Sequence, residues 1–167
     1  MVVVKKILDF YINSSLHVAL SAFALVSMTQ YFFGVQGDFS VAFFAFFGTV
    51  VGYNFVKYDA IARLNKTEIK KELKAIVFLS FISLLACFYF FLQLSWMSKI
   101  SAFIFFGLTL LYTLPFFPNK QNARNWKGVK IYIVGITWVG VTVILPLVEA
   151  EIPFSIDVLL MAFQRFL

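Results

Sequence analysis

The sequence predicts an all-α, polytopic bundle of transmembrane helices, five spans followed by a short C-terminal helix. Three observations predict it. Apolar residues fill 62% of the 167 positions and charged residues only 13%, against about 45–50% and about 25% in soluble domains. The apolar residues gather into five runs with no Asp, Glu, Lys or Arg inside them. The charges that remain fall between the runs with a strong bias of sign. With 23 Phe residues, the chain has too little polar surface to cover itself in water. In a bilayer the same rings can face acyl chains.

The runs are Leu16–Phe33, Phe39–Val56, Ala75–Leu94, Ile100–Phe117 and Ile131–Val148. Each approaches the roughly 20 residues that cross a hydrocarbon core about 30 Å thick. They are continuous rather than alternating, which excludes a membrane β-barrel. Helices satisfy their own backbone hydrogen bonds in lipid and are the expected structure. Lys5 and Lys6 before the first run resemble the start of a signal peptide, with Ala22-Phe23-Ala24 as a cleavage pattern. The run continues through Phe33, which favours a retained first span.

Two short connections join spans one to two (Gly34-Val35-Gln36-Gly37-Asp38) and three to four (Ser95–Lys99). They make these helices antiparallel neighbours. The basic residues fall on the opposite side: Lys5 and Lys6, then Lys57, Arg63, Lys66, Lys70, Lys71 and Lys74, then Lys120, Arg124, Lys127 and Lys130. Twelve stand there against Lys99 alone on the other side, which also carries Glu149 and Glu151. The positive-inside bias places the N-terminus and the loops 57–74 and 118–130 in the cytoplasm. The net charge of +6 is thereby read as topology, not as a nucleic-acid surface.

Pro153–Leu167 begins like a sixth span but is too short to cross as a helix, about 22 Å at 1.5 Å per residue. Arg165 is then expected about 18 Å into the bilayer, needing a partner or a route to the surface. Either the segment is amphipathic and interfacial, or residues 1–167 form a single integral membrane domain incomplete at its C-terminus.

Few side chains can carry chemistry. Cys87 is the only cysteine and His17 the only histidine, so no disulfide and no zinc or haem site is expected. Most Ser and Thr within the runs are expected to bond helix backbone. The exit of the second span, Gly52-Tyr53-Asn54-Phe55-Val56-Lys57-Tyr58-Asp59, is the exception. Lys57 and Tyr58 follow Asn54 by three and four residues and share its helix face. Asp59 is turned away by about 140°.

This exit resembles the UbiA-type prenyltransferase superfamily, whose second helix ends in an Asn followed by aspartates, then a basic stretch. A second likeness follows the fourth span, in Leu111-Tyr112-Thr113-Leu114-Pro115-Phe116-Phe117-Pro118-Asn119-Lys120 with Arg124 beyond. A third lies in Gly128-Val129-Lys130-Ile131, Trp138 and Leu145-Pro146. The resemblance implies a helical bundle of about nine spans, of which this chain would be the first part. It implies transfer of a polyprenyl group from a diphosphate to an acceptor, with magnesium held by Asp-rich motifs to neutralise the leaving group. Carried over, it makes Asn54, Lys57, Tyr112, Lys120 and Arg124 the diphosphate-binding residues and Asp59 a metal ligand. The acidic positions four and eight after Asn54 hold Tyr58 and Ala62 here, and Asp59 is one residue out of register.

Two functions follow. The first is a prenyltransferase-like protein with membrane lipids and a prenyl diphosphate as partners and Mg2+ as cofactor. The second is a non-catalytic membrane protein on the same scaffold. In either, a partner chain or a missing C-terminal half would cover the open face of a half-bundle. The absence of charge inside the spans and of an inverted repeat speaks against a transporter.

Overall fold

The computed structural model describes residues 2–35, 37, 39–64, 71–113 and 128–167, and their side chains except at 2–3, 59–64 and 71–72. All regular structure among them is helical: α1 Val2–Asn13, α2 Leu16–Phe32, α3 Ser40–Leu64, α4 Lys71–Gln93, α5 Trp96–Thr113, α6 Val129–Val139, a π-helical turn Gly140–Ile144, α7 Leu145–Glu149 and α8 Ile156–Phe166. Ser40–Tyr58, Leu73–Gln93, Trp96–Thr113 and Val129–Glu149 are each long and apolar enough to cross a membrane. A fifth span is reached if α1 and α2, bent by 63° at Ser14-Ser15, are taken together. The residues form two compact units, 1–24 with 42–93, and 25–41 with 94–167.

Small residues and rings build the first unit. Ala19, Ala22, Ala42 and Ala45 are buried, which lets helix backbones approach where no water drives them together. The Phe90 ring stacks on Phe43 at 5.2 Å and Phe47 at 5.9 Å, and Phe23 meets Phe43 at 5.3 Å. Cys87 sits where a Cβ on Gly48 would be 3.6 Å from its sulfur. It is a half-buried packing residue, as its apolar surroundings suggested.

The second unit closes on Val143, Leu147 and Val158, with Phe33, Val139, Ile152, Met161 and Ala162 packed around them. Pro146 lacks an N–H and cannot serve the carbonyl four residues earlier, Thr142. The backbone answers with the π-helical turn. The Thr29 hydroxyl lies 2.7 Å from that carbonyl, nearer than its other acceptor, Leu25 O at 3.1 Å. Gly140, within this turn, lies against the Phe105 ring.

The connections differ from the expected ones in two places. Gly34 does turn the chain as expected. At φ 71° it ends α2, with Gly34 N–H bonded to Tyr31 O (3.2 Å) and Val35 N–H to Gln30 O (2.8 Å), a left-handed cap that glycine adopts without cost. Ser95–Lys99 is not a loop. Ser95 caps a helix that starts at Trp96, its Oγ accepting from Ser98 N–H (3.3 Å), so Lys99 lies in the first turn of α5. Glu149 extends that cap, both carboxylate oxygens accepting the Ser95 N–H at 3.0 and 3.1 Å. Finally, α8 starts at Ile156, not at Pro153. Ser155 is its N-cap, accepting from Val158 N–H at 3.4 Å.

Candidate functional site

The exit of the second expected span is built from three helices of the first unit. Asn54 is buried on α3, and its Nδ2 donates to Ser80 Oγ on α4 at 2.9 Å. Ser80 passes its own proton to Ile76 O at 2.8 Å. Asn54 Oδ1 is buried with no partner. Lys57 and Tyr58 share a face, as their spacing requires, and both point at the end of α1. Lys57 Nζ donates to Asn13 O (3.2 Å) and Asn13 Oδ1 (3.3 Å), and the Tyr58 hydroxyl donates to Asn13 O (2.8 Å). The ammonium therefore sits at the negative end of the α1 dipole, where a cation stabilises a helix. Asn13 gave no sequence signal, because its role depends on a contact 44 residues away.

Tyr112 belongs to the second unit. It lines a pocket of about 390 Å³ with Lys130, Val134, Trp138, Arg165 and Phe166. Lys130, Val134 and Trp138 recur every four residues and so form one face of α6. That spacing was readable in advance, but in the sequence Lys130 counts as a topological charge and as part of the third likeness, not as a phosphate-binding residue. Phe166 stacks on Tyr132 (6.1 Å, 29°), and a Cβ on Gly135 would meet the Phe166 ring at 2.9 Å. The last turn of α8 thus returns to the first turns of α6.

Arg165 has its neighbours at this pocket. Residues 152–155 are not helical. An extended residue advances about 3.3 Å against 1.5 Å in a helix. Arg165 thereby lines the same pocket as Lys130, at the opening turns of α6. Its Nε is buried and has no hydrogen-bond partner.

The remaining expected site residues do not join either group in the described structure. Asn54 and Lys57 lie in one unit and Tyr112 in the other. Asp59 lies in α3 with its side chain outside the described ones, and Lys120 and Arg124 lie outside the described residues. Magnesium does not fit the donors at hand. No group of three His, Cys, Asp or Glu side chains converges among the described residues. The position four after Asn54 holds Tyr58, whose proton goes to a carbonyl, and the position eight after it holds Ala62. Among the described side chains of this exit, Asn54 Oδ1 is the unpartnered oxygen of a kind that a metal takes. No protein-family profile, curated protein or solved structure matches the chain.

Proposed function

We propose that this protein is a UbiA-like integral membrane protein that holds the phosphate end of a polyprenyl diphosphate between α5, α6 and α8. The observation that carries the reading is the Tyr112–Lys130–Trp138–Arg165 pocket. Two cations and a phenol suit phosphate oxygens, and Trp138, Val134 and Phe166 suit an apolar chain. An arginine Nε buried without a partner is a donor whose desolvation a phosphate oxygen would offset. The basic bias of the loops puts this end in the cytoplasm. Within the first unit, Lys57 and Tyr58 tie the α1 end to the α3 exit.

A second reading, binding without turnover, is favoured by a specific observation. The residues at the place of the Asp motif are Lys57 and Tyr58, and both are engaged with Asn13. Transfer would need carboxylates from outside the described residues.

The test uses the full protein in nanodiscs with farnesyl diphosphate as probe, measured by calorimetry. Charge-assisted hydrogen bonds contribute about 1.5–3 kcal/mol each. Lys130→Gln with Arg165→Gln is therefore expected to weaken binding at least tenfold, with farnesol bound no better than by the variant. Equal affinity for farnesyl diphosphate before and after the double substitution would overturn the site. Magnesium-dependent release of diphosphate would separate the catalytic reading from the binding one.

A further inference from the structure

The N-terminal helix has no place in that pocket, yet it is held at a defined angle. At 100° per residue, Lys5, Lys6, Asp9 and Asn13 of α1 fall within an arc of about 100°. Val4, Ile7, Leu8 and Tyr11 occupy the opposite side. Val4, Ile7 and Leu8 are 61%, 63% and 52% exposed, and Lys5, Lys6 and Asp9 are exposed as well. The described protein covers neither face.

The helix does not prolong α2. It turns from it by 63° through Ser14 and Ser15, both buried, with Ser15 in the left-handed region at φ 60°. Its C-terminal carbonyl end is pinned by Lys57 and Tyr58. Along the direction of α2, the ten residues Val4–Asn13 rise only about 7 Å instead of the about 15 Å of a continuing helix. With the 17-residue apolar α2 set along the membrane normal, a helix bent 63° from it runs closer to the membrane plane than to that normal. Its apolar arc then meets acyl chains and its lysine arc meets headgroups.

We infer that α1 is an in-plane anchor, seated at the headgroup–acyl boundary of the leaflet it adjoins, with Lys5 and Lys6 on anionic lipid phosphates. Lys57 and Tyr58 set its angle. Two lysines near a negative leaflet add attraction to its phosphates, and the apolar arc supplies burial. The occupant of this face is the bilayer itself, because the same chain already places the adjoining helices in it.

The test is depth measurement in the full protein. Val4→Cys, Lys5→Cys, Ile7→Cys, Leu8→Cys and Asp9→Cys are made one at a time in a Cys87→Ala background. Each is labelled with an environment-sensitive fluorophore and reconstituted in phosphatidylcholine–phosphatidylglycerol vesicles with brominated acyl chains. Quenching at positions 4, 7 and 8 is expected to exceed that at 5 and 9 at least twofold, with 4 and 8 equal. A steady change of depth from 4 to 9 would mean a continuing span, and no quenching at any position would mean a helix off the membrane. Either result overturns the inference. Lys5→Gln with Lys6→Gln should reduce the quenching at position 7 in vesicles with phosphatidylglycerol and leave it unchanged in phosphatidylcholine alone. Equal quenching in both would overturn the role of the lysines.

Discussion

Replacing Gly140 by Ala tests the packing of the second unit. A Cβ at this position would overlap three carbons of the Phe105 ring, far inside the 3.5–4.0 Å at which carbon atoms attract. Overpacking of this kind costs about 1–3 kcal/mol. The methyl group also returns up to about 1 kcal/mol of helix propensity. Overlap with three ring carbons puts the cost in the upper part of that range, about 2–3 kcal/mol, so the net expectation is a loss of about 1–2 kcal/mol. Other glycines give an internal scale. At Gly52 and Gly107 a Cβ meets nothing within 4 Å, so Ala there should be neutral or stabilising by up to about 1 kcal/mol. Gly135 is intermediate, its neighbour being the Phe166 ring at 2.9 Å. Reversible unfolding in mixed micelles by added SDS measures the series. Phe105→Leu removes the obstructing ring, and in that background Gly140→Ala should lose most of its cost, a coupling of about 1 kcal/mol or more. A Gly140→Ala protein as stable as the parent, or one equally damaged with and without Phe105, would refute the argument.

Two further expectations use the same assay. Glu149→Ala removes both acceptors of the Ser95 N–H and a negative charge at the start of α5, so a loss of about 1–2 kcal/mol is expected. Glu149→Gln, which keeps one oxygen in place, should cost about half of this. Faster hydrogen exchange at the Ser95 amide should accompany the loss, and unchanged exchange would count against the cap. Thr29→Val should cost about 0.6–1.7 kcal/mol, the range for hydrogen bonds between membrane helices. Pro146→Ala returns a backbone donor to Thr142 O, so the cost of Thr29→Val should fall in that background. The same cost in both would mean that the missing proline donor is not what Thr29 replaces.

The helical, membrane-crossing class was legible because it depends on composition and on run length, which the bilayer thickness fixes. Four of the five runs coincide with helices of spanning length, and Leu16–Phe33 coincides with α2. The boundaries were less legible where polar residues cap helices. Lys99 reads as a loop charge, yet Ser95 and Glu149, 54 residues apart, start the helix before it. Near Asn54 the spacing was right about the shared face of Lys57 and Tyr58 and silent about what that face meets. The Tyr112 pocket was half legible. Lys130 and Trp138 follow a helical period, but Arg165 joins them after a break in which residues 152–155 are not helical, and no local pattern announces that.

The placement of charge in the α6–α8 segment bears on orientation independently of the loops. Glu149 and Glu151 stand at the end of α7, and Asp157 follows in the first turn of α8. Lys130 opens α6, and Arg165 closes α8 beside it. Acids gather at one end and bases at the other, separated by the 21 residues of Val129–Glu149, about 30 Å. Each charge on α8 also suits its helix dipole, acid at the start and base at the finish. Arg165 was the one basic residue that the loop count had to leave aside. Beside Lys130 it adds a second base to that end of the second unit. Under the proposed function, and with this basic end on the cytoplasmic side as the positive-inside rule expects, the pocket would open toward that leaflet. A lipid-borne diphosphate entering there would meet its countercharges at headgroup depth and leave its apolar chain within the bilayer.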